Sequence, residues 1–280
     1  MNIELLNIAI EAALNAGKEI LNVFNTDDFG VRLKSDDSPL TEADLRSHQI
    51  IDKALKVTNI PVLSEEGESL SYDEREAWNQ LWIVDPLDGT KEFVKRSGEF
   101  TVNIALVQDQ KPIMGVVFAP YLGWLYWGDE NGAYKAVLSD DWSGKDASLV
   151  VNDLKAEPIP SQLPEVYTVV ASISHFSKET EAFVNALKSK EGKVELASRG
   201  SSLKMCLVAE GSAHLYPRLG PTMEWDTAAG QAVVEAAGGQ LCDWQTKAPM
   251  LYNRKDLLNG WFLTAAKGLV VDDYWLVEKD

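Results

Sequence analysis

Apolar residues recur at three- and four-residue intervals from Leu6 through Ala9, Ile10, Ala13, Leu14, Gly17, Ile20 and Leu21 to Phe24, which predicts an amphipathic helix over Ile3–Phe24. A second helix should begin after Thr41. In Ser38-Pro39-Leu40-Thr41-Glu42-Ala43-Asp44, Thr41 is a natural cap and Asp44 stands three residues on in the capping-box position, ahead of the apolar Ile50, Ile51, Ala54 and Leu55. Leu81-Trp82-Ile83-Val84 reads as a short buried strand. Phe100–Val107 and Ile113–Phe118 read as two more, joined as a hairpin through the polar turn Gln108–Lys111.

The stretch from Leu138 to Pro164 mixes Ser, Asp, Lys, Gly and Pro with little periodicity, so it reads as a long connection with one strand expected at Leu149–Val151. Beyond it the pattern predicts a strand at Tyr167–Ala171, a helix at Lys178–Lys188, a strand at Val194–Leu196 and a helix at Ser202–Glu210. Asp226 then opens an alanine-rich helix that runs through Ala237 and is stopped by Gly238-Gly239, before a strand-rich tail. Helices alternating with strands give an α/β class. The expected organisation is an N-terminal α+β part (1–137), a connecting segment (138–165) and a C-terminal α/β part (166–280).

Composition narrows the function. With 45% hydrophobic and 25% charged residues over 280 positions, the chain can bury a sizeable core. Its net charge of −17, from 43 acidic against 26 basic residues, disfavours a nucleic-acid polymer as partner. A phosphorylated small molecule can approach clustered carboxylates only if bound cations neutralise them first. Cys206 and Cys242 have neither the number nor the spacing of a disulfide framework or zinc site. Met1-Asn2-Ile3-Glu4 lacks the charged and apolar regions of a leader, and no window approaches the ~18 apolar residues of a membrane span. A cytoplasmic location is expected.

The chemistry concentrates where the Leu81–Val84 strand runs into Asp85-Pro86-Leu87-Asp88-Gly89-Thr90-Lys91-Glu92-Phe93. Strand ends of α/β sheets bind ligands. Pro86 restricts the backbone between the two aspartates and Gly89 permits a turn closed to other residues, so both carboxylates and the Leu87 carbonyl can face one point as an oxygen cage for Mg²⁺. A helix starting near Thr90 would add the N–H groups of Gly89 and Thr90 as anion donors. The plainer alternative is a strand-end turn whose aspartates cap that helix. Glu65-Glu66, after the apolar run Val62-Leu63, and Glu224-Trp225-Asp226, at the head of the alanine-rich helix, are further carboxylate groups; singly, each reads more readily as a surface charge or an N-cap than as part of a site.

Together, Ser-Glu-Glu, Asp-Pro-Leu-Asp-Gly-Thr and Trp-Asp-Thr-Ala-Ala-Gly resemble the three ordered motifs of the inositol monophosphatase superfamily, lithium-sensitive and Mg²⁺-dependent phosphatases. Stretches such as Gly98–Leu106 and Gly200-Ser201-Ser202-Leu203-Lys204 are most similar to its 3′(2′),5′-bisphosphate nucleotidases of the CysQ type, and the similarity spans nearly the whole chain. The resemblance implies a layered α-β-α-β-α sandwich and two or three Mg²⁺ ions. Glu65, Asp85 and the Leu87 carbonyl would hold one ion, while Asp85, Asp88 and Asp226 would hold a second. Thr90 and Asp44 would orient and deprotonate the attacking water, so Asp44 is read either as that base or as a cap.

For the substrate, the resemblance implies contacts from Glu65, Leu87, Asp88, Gly89, Thr90 and Asp226 around the reacting phosphate. Ser174, His175, Ser201, Lys204 and Arg218 would contact the nucleoside and its second phosphate. One position departs from the pattern: Ile173 stands where relatives often carry Arg before Ser-His. The implied reaction converts adenosine 3′,5′-bisphosphate to AMP and phosphate in sulfur assimilation. An inositol monophosphatase or sugar bisphosphatase using the same metals is the alternative enzyme, and a binding protein of this fold without turnover is the alternative class. The resemblance also admits peripheral association with the cytoplasmic face of the inner membrane.

Overall fold

The structure, a computed structural model, describes residues 3–26, 29–33, 39–171 and 177–278. The chain opens with α1 (Ile3–Phe24), a short ribbon of β1 (Arg32–Leu33) and β2 (Pro39–Leu40), and α2 (Glu42–Leu55). Next come β3 (Val62–Ser64), α3 (Tyr72–Arg75), β4 (Gln80–Asp88), α4 (Thr90–Val94), β5 (Thr101–Gln108), β6 (Lys111–Ala119), β7 (Trp124–Asp129), β8 (Gly132–Val137), α5 (Ala147–Asn152) and β9 (Glu157–Ile159). The second half holds β10 (Tyr167–Val170), α6 (Lys178–Glu191), β11 (Val194–Ala197), α7 (Leu203–Ala209), β12 (Leu215–Arg218), β13 (Thr222–Met223) and α8 (Glu224–Ala236). It closes with β14 (Gln240–Asp243), β15 (Leu258–Asn259) and β16 (Phe262–Ala265).

Among the described residues, β3 to β9 form a seven-stranded sheet in sequence order, and a five-stranded sheet runs β11-β10-β12-β16-β14. The larger sheet is antiparallel except where β3 pairs with β4 in parallel. On one of its faces Trp82, Val84, Ile104 and Leu106 join α1, α2 and α5 in a common core. Ile10, Leu14 and Ile20 of α1 are almost wholly buried there, and each contributes about 1.5–3 kcal/mol of burial. On the opposite face Leu81, Ile83, Ala105 and Val107 pack with α7, α8 and the near side of the smaller sheet. The far side of that sheet is covered by Phe183 and Leu187 of α6, Trp244 and Tyr274. The layers thus run α-β-α-β-α. Because both faces of β4 are covered, its sequence reads as an unbroken apolar run rather than an alternation.

Three readings of the sequence change. Leu149–Val151 is not a strand but part of α5: Asp146 accepts from the Ser148 amide at 2.9 Å as an N-cap, and Val150 turns into the core beside α1. Tertiary packing overrides the β-branched composition. The strand within that connection is instead β9, where Pro158 is tolerated because β9 lies at the sheet's edge. The hairpin of β7 and β8 escaped the sequence reading; its two-residue turn is Glu130-Asn131, and Gly132 opens β8 opposite Asp129. No helix of the described residues is long and apolar enough to cross a membrane.

The alanines of α8 have a geometric cause. A Cβ on Gly115 of β6 would lie 2.3 Å from the Ala229 carbonyl oxygen, and one on Gly128 of β7 would lie 2.8 Å from Ala236 Cβ. Helix and sheet meet at backbone distance, which only small residues allow. Gly115→Ala should therefore lower the unfolding free energy by about 1–3 kcal/mol through overpacking. Urea denaturation measures this, and an unchanged midpoint would show that α8 does not sit this close.

Candidate active site

Parallel pairing of β3 with β4 sets Ser64 beside Val84 and continues into the Glu65 amide, which donates to the Val84 carbonyl at 3.1 Å. Glu65 is thereby carried next to Asp85. Along β4, a regular strand would turn Asp85 and Asp88 to opposite faces. A bulge prevents this: Asp85 pairs with Asn103 and Asp88 with Thr101, so three steps on β4 match two on β5 and both aspartates share a face. Gly89, at φ +89°, then turns the chain into α4, which begins at Thr90. Asp226 enters from the first turn of α8, where its Oδ2 accepts from the Met223 amide at 2.8 Å.

Ligand oxygens of Asp85, Asp88 and Asp226 lie within 4.8 Å of one another. Asp85 is buried, and its Oδ1 accepts from the Leu87 amide at 3.0 Å. Burial pushes the Asp85 carboxyl well above its usual range, and the charges of Glu65, Asp88 and Asp226 add to the shift. Burial does the same to Asp226, helped by Asp88. Among the described residues no Lys or Arg nitrogen is within ion-pairing distance of these three carboxylates. An all-oxygen donor set of this charge suits a hard divalent cation. The free thiols of Cys206 and Cys242 are buried and stand outside the cluster.

Asp44 serves two structures at once. Its Oδ2 accepts from the Thr41 amide at 2.7 Å in the capping box, while its Oδ1 accepts from the Thr90 hydroxyl at 3.2 Å. Thr90 Oγ1 also lies 3.4 Å from the Leu87 carbonyl oxygen. Beneath them the Ser47 hydroxyl donates to the Pro86 carbonyl at 2.7 Å, fastening α2 to the aspartate turn.

A cavity of about 190 Å³ opens beside the cluster, lined by Asp88, Gly89 and Asp226 on one side and by Ser201, Lys204, Tyr216 and Arg218 on the other. The buried Lys204 sends its Nζ to the Arg199 carbonyl at 3.3 Å. Burial lowers its pKa, Asp88 works against that, and Arg218 adds to it. Arg218 Nη2 donates to the Pro221 carbonyl at 3.0 Å, whereas its buried Nε has no hydrogen-bond partner among the described residues. Asp44, Glu65, Asp85, Leu87, Asp88, Gly89, Thr90, Ser201, Lys204, Arg218 and Asp226 thus gather at or around one end of the larger sheet. Ser174, His175 and Ile173 lie outside the described residues. A larger cavity of about 980 Å³, lined by Gln108, Ile113, Asn131 and Glu235, contains none of the motif residues.

The sequence reading missed three residues that the structure puts to use. The Ser202 hydroxyl lies 2.7 Å from Asp88 Oδ2 and 3.1 Å from the Asp226 carbonyl oxygen, and it accepts from Asn103 Nδ2 at 2.7 Å. A polar Asn inside the apolar run of β5 was the available signal. Glu224, fully buried, accepts from the Asn253 and Arg254 amides at 2.7 and 3.1 Å and pairs with Arg254 Nε at 3.0 Å, anchoring the end of α8 that carries Asp226.

A profile of the inositol monophosphatase family matches residues 1–276. The chain belongs to this family. It is 44% identical over 262 residues to the 3′(2′),5′-bisphosphate nucleotidase CysQ of Escherichia coli, covering 92% of this chain and 98% of that protein. It is 42% identical over 261 residues to the protein of the same name from Salmonella typhimurium, with the same coverage. Among solved structures, the crystal structure of CysQ from Bacteroides thetaiotaomicron, titled a bacterial member of the inositol monophosphatase family, matches with a TM-score of 0.83 at 47% identity. That match covers 95% of this chain and 98% of the other. The family implies divalent-metal phosphatase chemistry, and the chain carries an acidic cluster of a kind that could serve it.

The raised carboxyls give a test with a definite sign. A group whose folded-state pKa exceeds its unfolded value adds stability below the unfolded pKa and loses it as pH rises through the folded one. Asp85 and Asp226, both starting from 3.8, therefore weaken the metal-free protein progressively above about pH 4. In chelator at pH 7, Asp85→Asn should melt higher than the parent protein, with an advantage that shrinks toward pH 4. Each kcal/mol corresponds to roughly 2–4 °C for a chain of this size. Mg²⁺ should raise the melting temperature of the parent and leave the variant nearly unmoved. Calorimetry in chelator and in Mg²⁺ checks both halves, and a parent protein indifferent to Mg²⁺ would contradict the assignment.

Proposed function

We propose that this chain is a Mg²⁺-dependent 3′(2′),5′-bisphosphate nucleotidase that removes the 3′-phosphate of adenosine 3′,5′-bisphosphate, giving AMP and phosphate in sulfur assimilation. The observation that carries this reading is one cavity in which a cluster of carboxylates faces the cations Lys204 and Arg218. A monophosphate needs only the carboxylates and their metals. A second phosphate, which is not cleaved, accounts for a buried lysine beside a half-buried arginine at one cavity in a protein of net charge −17. The 44% identity to a curated nucleotidase supports the same substrate class.

Glu65, Asp85 and the Leu87 carbonyl would hold one ion, and Asp85, Asp88 and Asp226 would hold another. When bound, such ions lower the pKa of a water and neutralise the leaving oxygen. The chain's own residues do the rest. Thr90, whose hydroxyl proton is committed to Asp44, presents its oxygen lone pairs to the attacking water and directs it along the line of displacement. As the water passes its proton to Thr90 Oγ1, the Thr90 hydroxyl proton moves to Asp44 Oδ1, while Oδ2 stays fixed by Thr41. Lys204, Arg218 and Ser201 grip the retained 5′-phosphate, setting the 3′-phosphorus against the carboxylate cluster. Ser174 and His175 belong to the nucleoside end of this reading.

Lys204→Ala should lower kcat/KM for adenosine 3′,5′-bisphosphate roughly 10- to 100-fold, the loss of one charge-assisted hydrogen bond. It should change turnover of inositol 1-phosphate less than threefold, and phosphate release on both substrates measures the difference. Equal losses on the two substrates would remove the nucleotide reading, and inositol 1-phosphate turned over faster than the nucleotide by the parent protein would replace it. Li⁺, competing for one Mg²⁺ position, should lower turnover in the same assay.

A further inference from the structure

Ser202 occupies the N-cap of α7, a position where serine ordinarily turns its hydroxyl back onto the helix's own amides. Here the hydroxyl makes no such cap. It points instead toward the carboxylates, 2.7 Å from Asp88 Oδ2 and 3.1 Å from the Asp226 carbonyl oxygen. A hydroxyl carries one proton, and its direction is settled by what donates to the oxygen. That donor is Asn103 Nδ2 at 2.7 Å. With its oxygen accepting from the amide, Ser202 must send its own proton to the acid side, and the nearer acceptor is Asp88.

Asn103 itself is out of place by composition. It is 1% exposed, stands between Val102 and Ile104 in β5, and its Oδ1 has no hydrogen-bond partner among the described residues. A half-satisfied buried amide costs stability that an apolar residue at the same point would not. Such a local violation marks a position kept for function. Its strand partner across the sheet is Asp85, so the amide sits against the most buried carboxylate of the cluster while serving the least buried part of it.

From this geometry we infer that Asn103 and Ser202 form a positioning relay that fixes Asp88 as a divalent-cation ligand, with the Asp226 carbonyl at the head of α8 as a second, longer acceptor of the same proton. The relay ties together β5, the start of α7, the end of β4 and the first turn of α8. With Asp88 Oδ2 held by the hydroxyl, Oδ1 remains available to a cation. Outer partners of metal-binding carboxylates act in this way, and their loss typically costs ten- to a hundredfold in metal affinity. The inference rests on the metal assignment made above for Asp85, Asp88 and Asp226.

The test is equilibrium binding of Mn²⁺ to the purified full-length chain, followed by the electron paramagnetic resonance of the free ion, beside a Mg²⁺ titration of phosphate release from adenosine 3′,5′-bisphosphate. Ser202→Ala should weaken Mn²⁺ binding about tenfold or more. It should raise the Mg²⁺ needed for half-maximal turnover by a similar factor while lowering the maximum by less. Ser202→Thr, which keeps the hydroxyl, should recover most of the affinity. Asn103→Leu, which keeps Ser202 and approximates the amide's volume, should give a smaller loss in the same direction. Unfolding midpoints measured in chelator report on folding separately. Parental Mn²⁺ affinity in both Ser202→Ala and Asn103→Leu, or a rise confined to the KM for nucleotide, would overturn the relay and make Ser202 a substrate contact. Equal Mn²⁺ binding by the parent and by Asp226→Asn would instead remove the metal assignment beneath it.

Discussion

Mutual repulsion among carboxylates is the constraint around which this protein is built. Asp85, Asp88 and Asp226 bring ligand oxygens within 4.8 Å of one another, with Glu65 close enough to raise the Asp85 carboxyl further. Left to themselves, such groups separate or take up protons. They stay together because each is fastened by an element with its own reason to be there. β3 and β4 are locked by parallel pairing, β4 is bulged against β5, and α8 is pressed onto glycines of β6 and β7 and anchored by the buried Glu224. The strain of assembling like charges is thereby spread over the core and becomes available as binding energy for a cation.

Two kinds of chemistry meet across the cavity. The end of β4 and the first turn of α8 supply the acidic side, and α7 with β12 supplies the cationic side. Lys204 and Arg218 would repel each other in isolation, and Asp88 partly offsets the effect of burial on Lys204. The cations are held back from the carboxylates by backbone partners at Arg199 and Pro221 rather than by ion pairs with them. The acidic cluster is thus open to metals and the cations to anions, as the proposed function requires.

Much of this was legible before any coordinates. The helical periodicity of α1, the cap at Thr41 and the apolar run of β4 are local signals, and the structure forms each element where the pattern put it. The Asp85–Thr90 turn was readable because proline, glycine and paired aspartates are themselves geometric statements. Other features depend on contacts distant in sequence. Leu149–Val151 has strand composition and becomes helix because Val150 finds the core beside α1. The bulge that turns Asp85 and Asp88 to one face exists only in the register with β5. Ser202 and Asn103, 99 residues apart, say nothing singly. Glu224 looks like an ordinary first-turn acid until Arg254 closes over it.

The seating of α8 on Gly115 and Gly128 also bears on how such a protein diverges. Gly115, Gly128, Ala229, Ala232 and Ala236 along that contact are already at or near the smallest side chain available, so the strip holding Asp226 has little room for drift. The cations lie on other elements, on α7 and at the end of β12, where side chains face a cavity instead of a backbone. On the proposed function, a lineage can therefore exchange what would grip the far end of the substrate while inheriting the acidic half unchanged. Relatives that share this metal-bearing half but differ in substrate are the outcome that such an uneven distribution of mutational freedom favours.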